Sequence, residues 1–462
     1  MRFITMRKIT TALFFLCSFA HAQIWVPENA WFDKLENGKT YEDLYSSFIK
    51  DKVVFNADVY AINGLEVDCA DLIASTHIIF AAIHKLPIIF YNQSGKEITN
   101  LDTSFNHYPH LQIDGEEKLV HIGKHTVNFS PRLISFINWF SLHFLDSTVL
   151  EMNSFPIKLE KPFIKEGVIY VHGKQGALGS GHSKIISSLD FENPEVYPIK
   201  MTMVSVPREI KEKFDTSNFI SRHKPGNKTF NFRKFYPSIY DPSAEKKIVR
   251  VPEKGLIDTW GLDVNNEQFS YKNKLIDLFA VDLAHYINPK VAPETIIDAF
   301  IAETKLRFSS RMSSVDQAYQ KCVLQDNNCD KEENYPLWDR YSSPSRDLRI
   351  DNIVRSIGLL ISQYGIKLDK NLSSYFNSQM SNQTLSFYWI HKLKLEDKEY
   401  IDTELMREQG FEITNYSHSF KVHKEIPLLQ LQIKWIKKQY STDPEDHFLT
   451  RWGFQNFYYE NI

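Results

Sequence analysis

Cys69 is the residue of this chain best placed for covalent chemistry. It lies in the run Gly64-Leu65-Glu66-Val67-Asp68-Cys69-Ala70-Asp71-Leu72-Ile73, and the apolar density continues from Ala74 to Ile83. That density predicts a buried helix with Cys69 at or near its first turn. Unpaired backbone N–H groups and the positive end of the helix dipole favour a thiolate there, and the thiolate is the nucleophilic form. A thiolate that attacks an amide also needs a base to carry a proton to the leaving group, most often an imidazole. His182 stands after the glycine-rich stretch Gly173 to Gly181 and opens an apolar segment, Ser183-Lys184-Ile185-Ile186. It is the candidate base. His172, at the end of the segment that starts at Gly167, is the alternative.

Asp68-Cys69-Ala70-x-Leu72-Ile73 resembles the Asp-Cys-Ser/Ala-Gly-Leu-Val/Ile signature of the NlpC-type cell-wall cysteine peptidases. A strand, a glycine-bearing loop and a Gly-His strand start follow in the same order, so the resemblance spans roughly residues 55 to 205. It implies a papain-like fold and cleavage of peptide or amide bonds in the stem peptides of peptidoglycan. Cys69 would attack the carbonyl and His182 would hold its imidazole against the thiol. The Cys69 backbone N–H would help to stabilise the oxyanion. Tyr60 and Asp68 would line the active site.

The family orients its histidine with a polar residue about a dozen positions downstream, where this chain has Pro194, which offers no polar side chain. Asp190, Asn193, Lys200 and Thr202 remain as candidates for that role. Asp71 stands where the family has glycine. A carboxylate two residues from the thiol opposes its ionisation, although acids are also common in first helical turns. These departures keep two rivals open: a catalytically inactive cell-wall binding or scaffold protein, and an acyltransferase using the same Cys/His pair.

The elements that must hold these residues point to an α+β fold. After the Cys69 helix come short apolar strands at Leu119 to Ile122 and Gly167 to His172. Two more, His182 to Leu189 and Val196 to Val206, are joined by the turn Asp190-Phe191-Glu192-Asn193-Pro194. Past about residue 207 helices dominate: Lys274 to Ile287, Glu294 to about Arg311 behind Pro293, Ser345 to Leu360 with Ser345 as N-cap, and Leu428 to Lys438. The expected organisation is a signal peptide over 1–22, a papain-like hydrolase domain over 23–207 and a mostly helical accessory region over 208–462.

The N-terminus supports export. Arg2, Arg7 and Lys8 precede an apolar stretch from Ile9 through Phe19, and Ala20-His21-Ala22 has the small-x-small pattern cut by signal peptidases. Met6 would serve equally as the start. Removal of the three cations takes the net charge from -3 to -6, which gives no reason to expect a nucleic-acid partner. No later stretch has the length and apolarity of a membrane span, so the mature protein is expected in the periplasm or secreted, with peptidoglycan or a peptide as substrate. In that compartment Cys322 and Cys329 are expected to pair, leaving Cys69 alone. No cofactor or metal is expected. His77 and His84 lie seven apart on the Cys69 helix without a carboxylate partner and read as ordinary helix residues. The aromatic and arginine-rich stretch Tyr335 to Arg349 reads as a packed corner whose arginines pair with Asp339 and Asp347, ahead of a reading as a site for a carboxylated or glycan ligand.

Overall fold

The computed structural model describes residues 24–50, 69–107, 118–122, 125–143, 147–172, 182–205, 209–213, 230–265, 268, 279–323, 325, 327–364, 370–392, 400–401, 403–416, 419–446, 448–454 and 458–459. The signal segment, Tyr60 and Asp68 lie outside these residues.

The described residues fall into two compact units. The first runs to Phe191 and takes back Pro198–Phe214 and Lys224–Asn273; the second holds Glu192–Tyr197, Asp215–His223 and everything from Lys274. The chain is mixed α+β with small antiparallel sheets.

The heart of the first unit is the helix predicted after Cys69. We number helices and strands in chain order: α1 (Tyr41–Lys50), α2 (Cys69–Ile83), β1 (Ile89–Tyr91), β2 (Glu97–Thr99), β3 (Lys118–Ile122), β4 (His125–Phe129), α3 (Pro131–His143), α4 (Ser147–Met152) and β5 (Ser154–Pro156). Then come β6 (Ile169–His172), β7 (His182–Leu189), β8 (Ile199–Ser205), β9 (Glu209–Lys213), β10 (Phe230–Phe235), β11 (Ser238–Tyr240), β12 (Ile248–Arg250) and α5 (Glu253–Trp260). Every residue of α2 from Cys69 to Ala81 is buried, as a helix apolar all round must be. It packs on β7 and β8 and touches α3, α4 and β4.

The sheet under α2 has six antiparallel strands in the order β5-β10-β6-β7-β8-β9. The predicted hairpin is β7 and β8, with a bulge between Ile186 and Ser188. The expected boundary at 207 is corrected by this sheet. Strands β9 and β10 follow it in sequence, and β10 enters between β5 and β6, so the first unit needs chain well past that point. Gly167 fixes the local approach of α1. Its φ is +89°, and a Cβ there would stand 2.9 Å from the Tyr45 ring.

The second unit is helical with a sheet of its own. Its elements are α6 (Phe279–Ile287), α7 (Pro293–Ala318), α8 (Tyr335–Tyr341), α9 (Pro344–Tyr364), α10 (Lys370–Asn382), β13 (Thr384–Lys392), β14 (Tyr400–Ile401), α11 (Thr403–Glu408), β15 (Glu412–Tyr416), β16 (Ser419–Pro427), α12 (Leu428–Ile436) and β17 (Tyr458–Tyr459). Strands β13, β16 and β15 form an antiparallel sheet with β16 in the middle, which the expectation of a mostly helical region did not include. Helix α9 starts at Pro344, so Ser343 rather than Ser345 stands at its entry, and the Ser343 hydroxyl donates to Asp347 Oδ2 at 2.8 Å.

Cys322 and Cys329 are joined in a disulfide with their Cα atoms 5.6 Å apart. The bridge packs with Ala318, Tyr341 and Leu337 and ties the end of α7 to the chain leading into α8.

Candidate active site

Cys69 is the first described residue of α2, 8 % exposed, and its thiol is not in a disulfide. Asp71, in the same first turn, is buried too.

His182 is the first residue of β7 and pairs in register with His172, the last residue of β6. Directly opposed positions share a sheet face with Cβ atoms about 5 Å apart. The two histidines that sequence reasoning treated as alternatives are therefore neighbours at one end of adjacent central strands. The signal for this was present in the sequence: they bracket the glycine-rich stretch 173–181, and a loop closing a hairpin brings its two flanks together.

The orienting candidates are not gathered around position 182. Asp190 follows the far end of β7, roughly 26 Å away at about 3.3 Å per residue. Its N–H donates to Pro198 O at 3.0 Å, which closes the hairpin. Asn193 belongs to the second unit, where its side chain accepts from Glu195 N and its carbonyl accepts from Asn288 Nδ2 at 2.9 Å. Thr202 is fully buried opposite Ile185, and strand alternation puts Ile185 and position 182 on opposite faces. Lys200 opposes Ser188, beyond the bulge. Continuing the Ile185–Thr202 register by three residues would bring position 205, the end of β8, to the level of His182.

His77 and His84 are packing residues. His77 lies flat on Trp31, with ring centroids 4.5 Å apart and planes 3° from parallel, and meets Tyr45 edge-on. Complete burial lowers its pKa to about 3, so the imidazole is neutral, and its Nδ1 has no hydrogen-bond partner. His84 packs against Phe80 and Tyr41. Among the described residues no group of three or more His, Cys, Asp or Glu side chains is placed to hold a metal ion. No described helix is long and apolar enough to cross a membrane.

In the second unit, Asp347 has a partner from far along the chain. Arg311 of α7 is fully buried, its Nε 2.6 Å from Asp347 Oδ1. Its Nη1 and Nη2 donate to the carbonyls of Arg451 and Ser441, and the guanidinium lies 4.6 Å from the Trp452 ring. Asp347 thus belongs to a packed corner, as expected, with Arg311 in it. Arg451 is buried beside it, and desolvation with the like charge of Arg311 brings its pKa down to about 9.

No protein-family model, curated protein or solved structure matches this chain.

Proposed function

We propose that the first unit is an exported cysteine hydrolase of papain-like arrangement. In this reading Cys69 and His182 cleave peptide or amide bonds of peptidoglycan stem peptides. The observation that carries the reading is the packing of the helix that holds Cys69, a cysteine outside any disulfide, against the antiparallel strand that holds His182.

The Phe80 ring of α2 packs on Tyr45 and Phe48 of α1, and Tyr45 abuts Gly167, whose N–H donates to Ile186 O, which ties the helix to the sheet that carries β7.

In the proposed reaction the thiolate adds to the amide carbonyl and the imidazolium gives its proton to the leaving amine. Water then releases the acyl group. With Asp190 and Asn193 at the far end of β7 and Thr202 on the other face, His172 and position 205 are the nearest backbone positions from which a side chain would orient the imidazole.

The test is digestion of purified peptidoglycan by the mature protein and by Cys69→Ala, with mass analysis of the fragments. Release by the mature protein alone supports the reading, and equal release by both removes Cys69 from the mechanism. No release from either favours a binding or scaffold protein. Transfer of the acyl group to an added amine or alcohol favours an acyltransferase.

A further inference from the structure

The sheet of the second unit carries a separate line of side chains across its three strands. His423 stands on the central strand β16, directly opposite Glu412 of β15 on one side and Tyr388 of β13 on the other. Ser386 of β13 opposes Glu425, two residues from His423 on the same face. The Ser386 hydroxyl is 3.0 Å from His423 Nε2, and His423 Nδ1 is 3.2 Å from Glu412 Oε2. This is the connectivity of a nucleophile, a base and an orienting carboxylate, one from each strand. Regular strand pairing fixes the three relative to one another, which loops would do less rigidly.

We propose that Ser386, His423 and Glu412 form a second site, an esterase centre that takes activated acyl esters. Ser386 Oγ forms the bond to the acyl carbon while the bond from that carbon to the leaving alcohol breaks. The hydroxyl proton passes to His423 Nε2 and from there to the departing oxygen. Water then repeats the sequence: its oxygen takes the acyl group, and its proton returns through Nε2 to Ser386. Glu412 holds Nδ1–H and so presents the free lone pair at Nε2 to the serine. Lys421, on the same face of β16 with its ammonium 4.4 Å from the Tyr388 ring centre, is a cation that could serve an oxyanion. The His423 side chain is 33 % exposed and that of Glu412 82 % exposed, so the site suits an acyl group carried on a large or extended molecule rather than an enclosed small one.

Glu425 is the competing group. Its Oε1 is 3.3 Å from His423 Nε2, and it also accepts from Ser386 and Thr384. While it holds the serine proton, His423 does not receive it. Replacing Glu425 by glutamine is therefore expected to speed acylation, an effect that a merely structural polar rung would not produce.

The experiment uses the full mature chain carrying Cys69→Ala, so that the thiol of the first unit contributes nothing. It is treated with p-nitrophenyl acetate and, separately, with a fluorophosphonate. The expected results are a burst of nitrophenol and a mass increment on the peptide containing Ser386, both lost in Ser386→Ala. Acylation should fall about 100-fold in His423→Gln, within the range general bases contribute. It should fall less in Glu412→Gln and rise in Glu425→Gln. These positions are exposed or partly so, and an unchanged melting curve confirms that each variant is folded. A folded protein with no label at Ser386, or labelling that His423→Gln leaves unchanged, overturns the proposal.

Discussion

His172 and His182 face each other across β6 and β7, the last residue of one strand against the first of the next. Two imidazoles at one register position divide the work unequally if His182 is the base. His182→Ala should lower peptidoglycan cleavage by about 100-fold or more, the range for loss of a general base, while His172→Ala should cost less than about 10-fold. Initial rates of fragment release for the two variants check this. The reverse order would move the base to His172.

The burial of His77 makes an acid limit for the first unit. Its folded pKa of about 3 lies below the usual value of 6.5, so its contribution is fully present above about pH 6.5 and is lost as pH falls toward 3. At 1.36 kcal/mol per pH unit, roughly 3 kcal/mol should be gone by pH 4. His77→Phe keeps a ring against Trp31 and should flatten the decline. Urea midpoints for the two proteins at pH 7, 5.5 and 4 measure the difference.

Much of the local structure was legible. The apolar run after Cys69 became a helix, and the hairpin after His182 appeared in place, because both patterns are set by near neighbours in sequence. What was not legible depends on distant chain. Strand β10 pairs with β5 and β6, far from it in sequence, and pulls the domain boundary past residue 207. Asp347 pairs with Arg311, 36 residues back, because helices α7 and α9 pack side by side. Spacing from the histidine fell on Pro194, and Asp190, one of the candidates left, follows an eight-residue strand too long for that residue to reach back.

The Arg311–Asp347 pair should be costly to break and cheap to replace. Asp347→Ala leaves a buried guanidinium without its carboxylate and should destabilise the second unit by about 3–5 kcal/mol. The double variant Arg311→Met with Asp347→Leu should recover most of that loss, because neither charge is then buried. Denaturant unfolding followed by tryptophan fluorescence reports it, with Trp435 and Trp452 both beside Arg311.

Breaking the Cys322–Cys329 bridge should have a smaller effect. The two residues are seven apart, and a loop that short gives about 2.5 kcal/mol in the chain-entropy account. Cys322→Ser with Cys329→Ser should lower the stability of the second unit by that amount and leave the peptidoglycan cleavage proposed for the first unchanged. Parallel urea titration and activity assays separate the two.

The placement of β10 between β5 and β6 also governs how the protein can come into being. Strands 154–156 and 169–172 each wait for residues 230–235 before their facing edges are paired. Such non-local pairing is slow to form, and until it forms both edges stay open to strands of other chains. A chain cut at residue 207 would keep those edges permanently. Expression of the first unit alone therefore has to extend through α5, and newly made chains gain from any chaperone that covers the sheet until its third hundred residues have arrived.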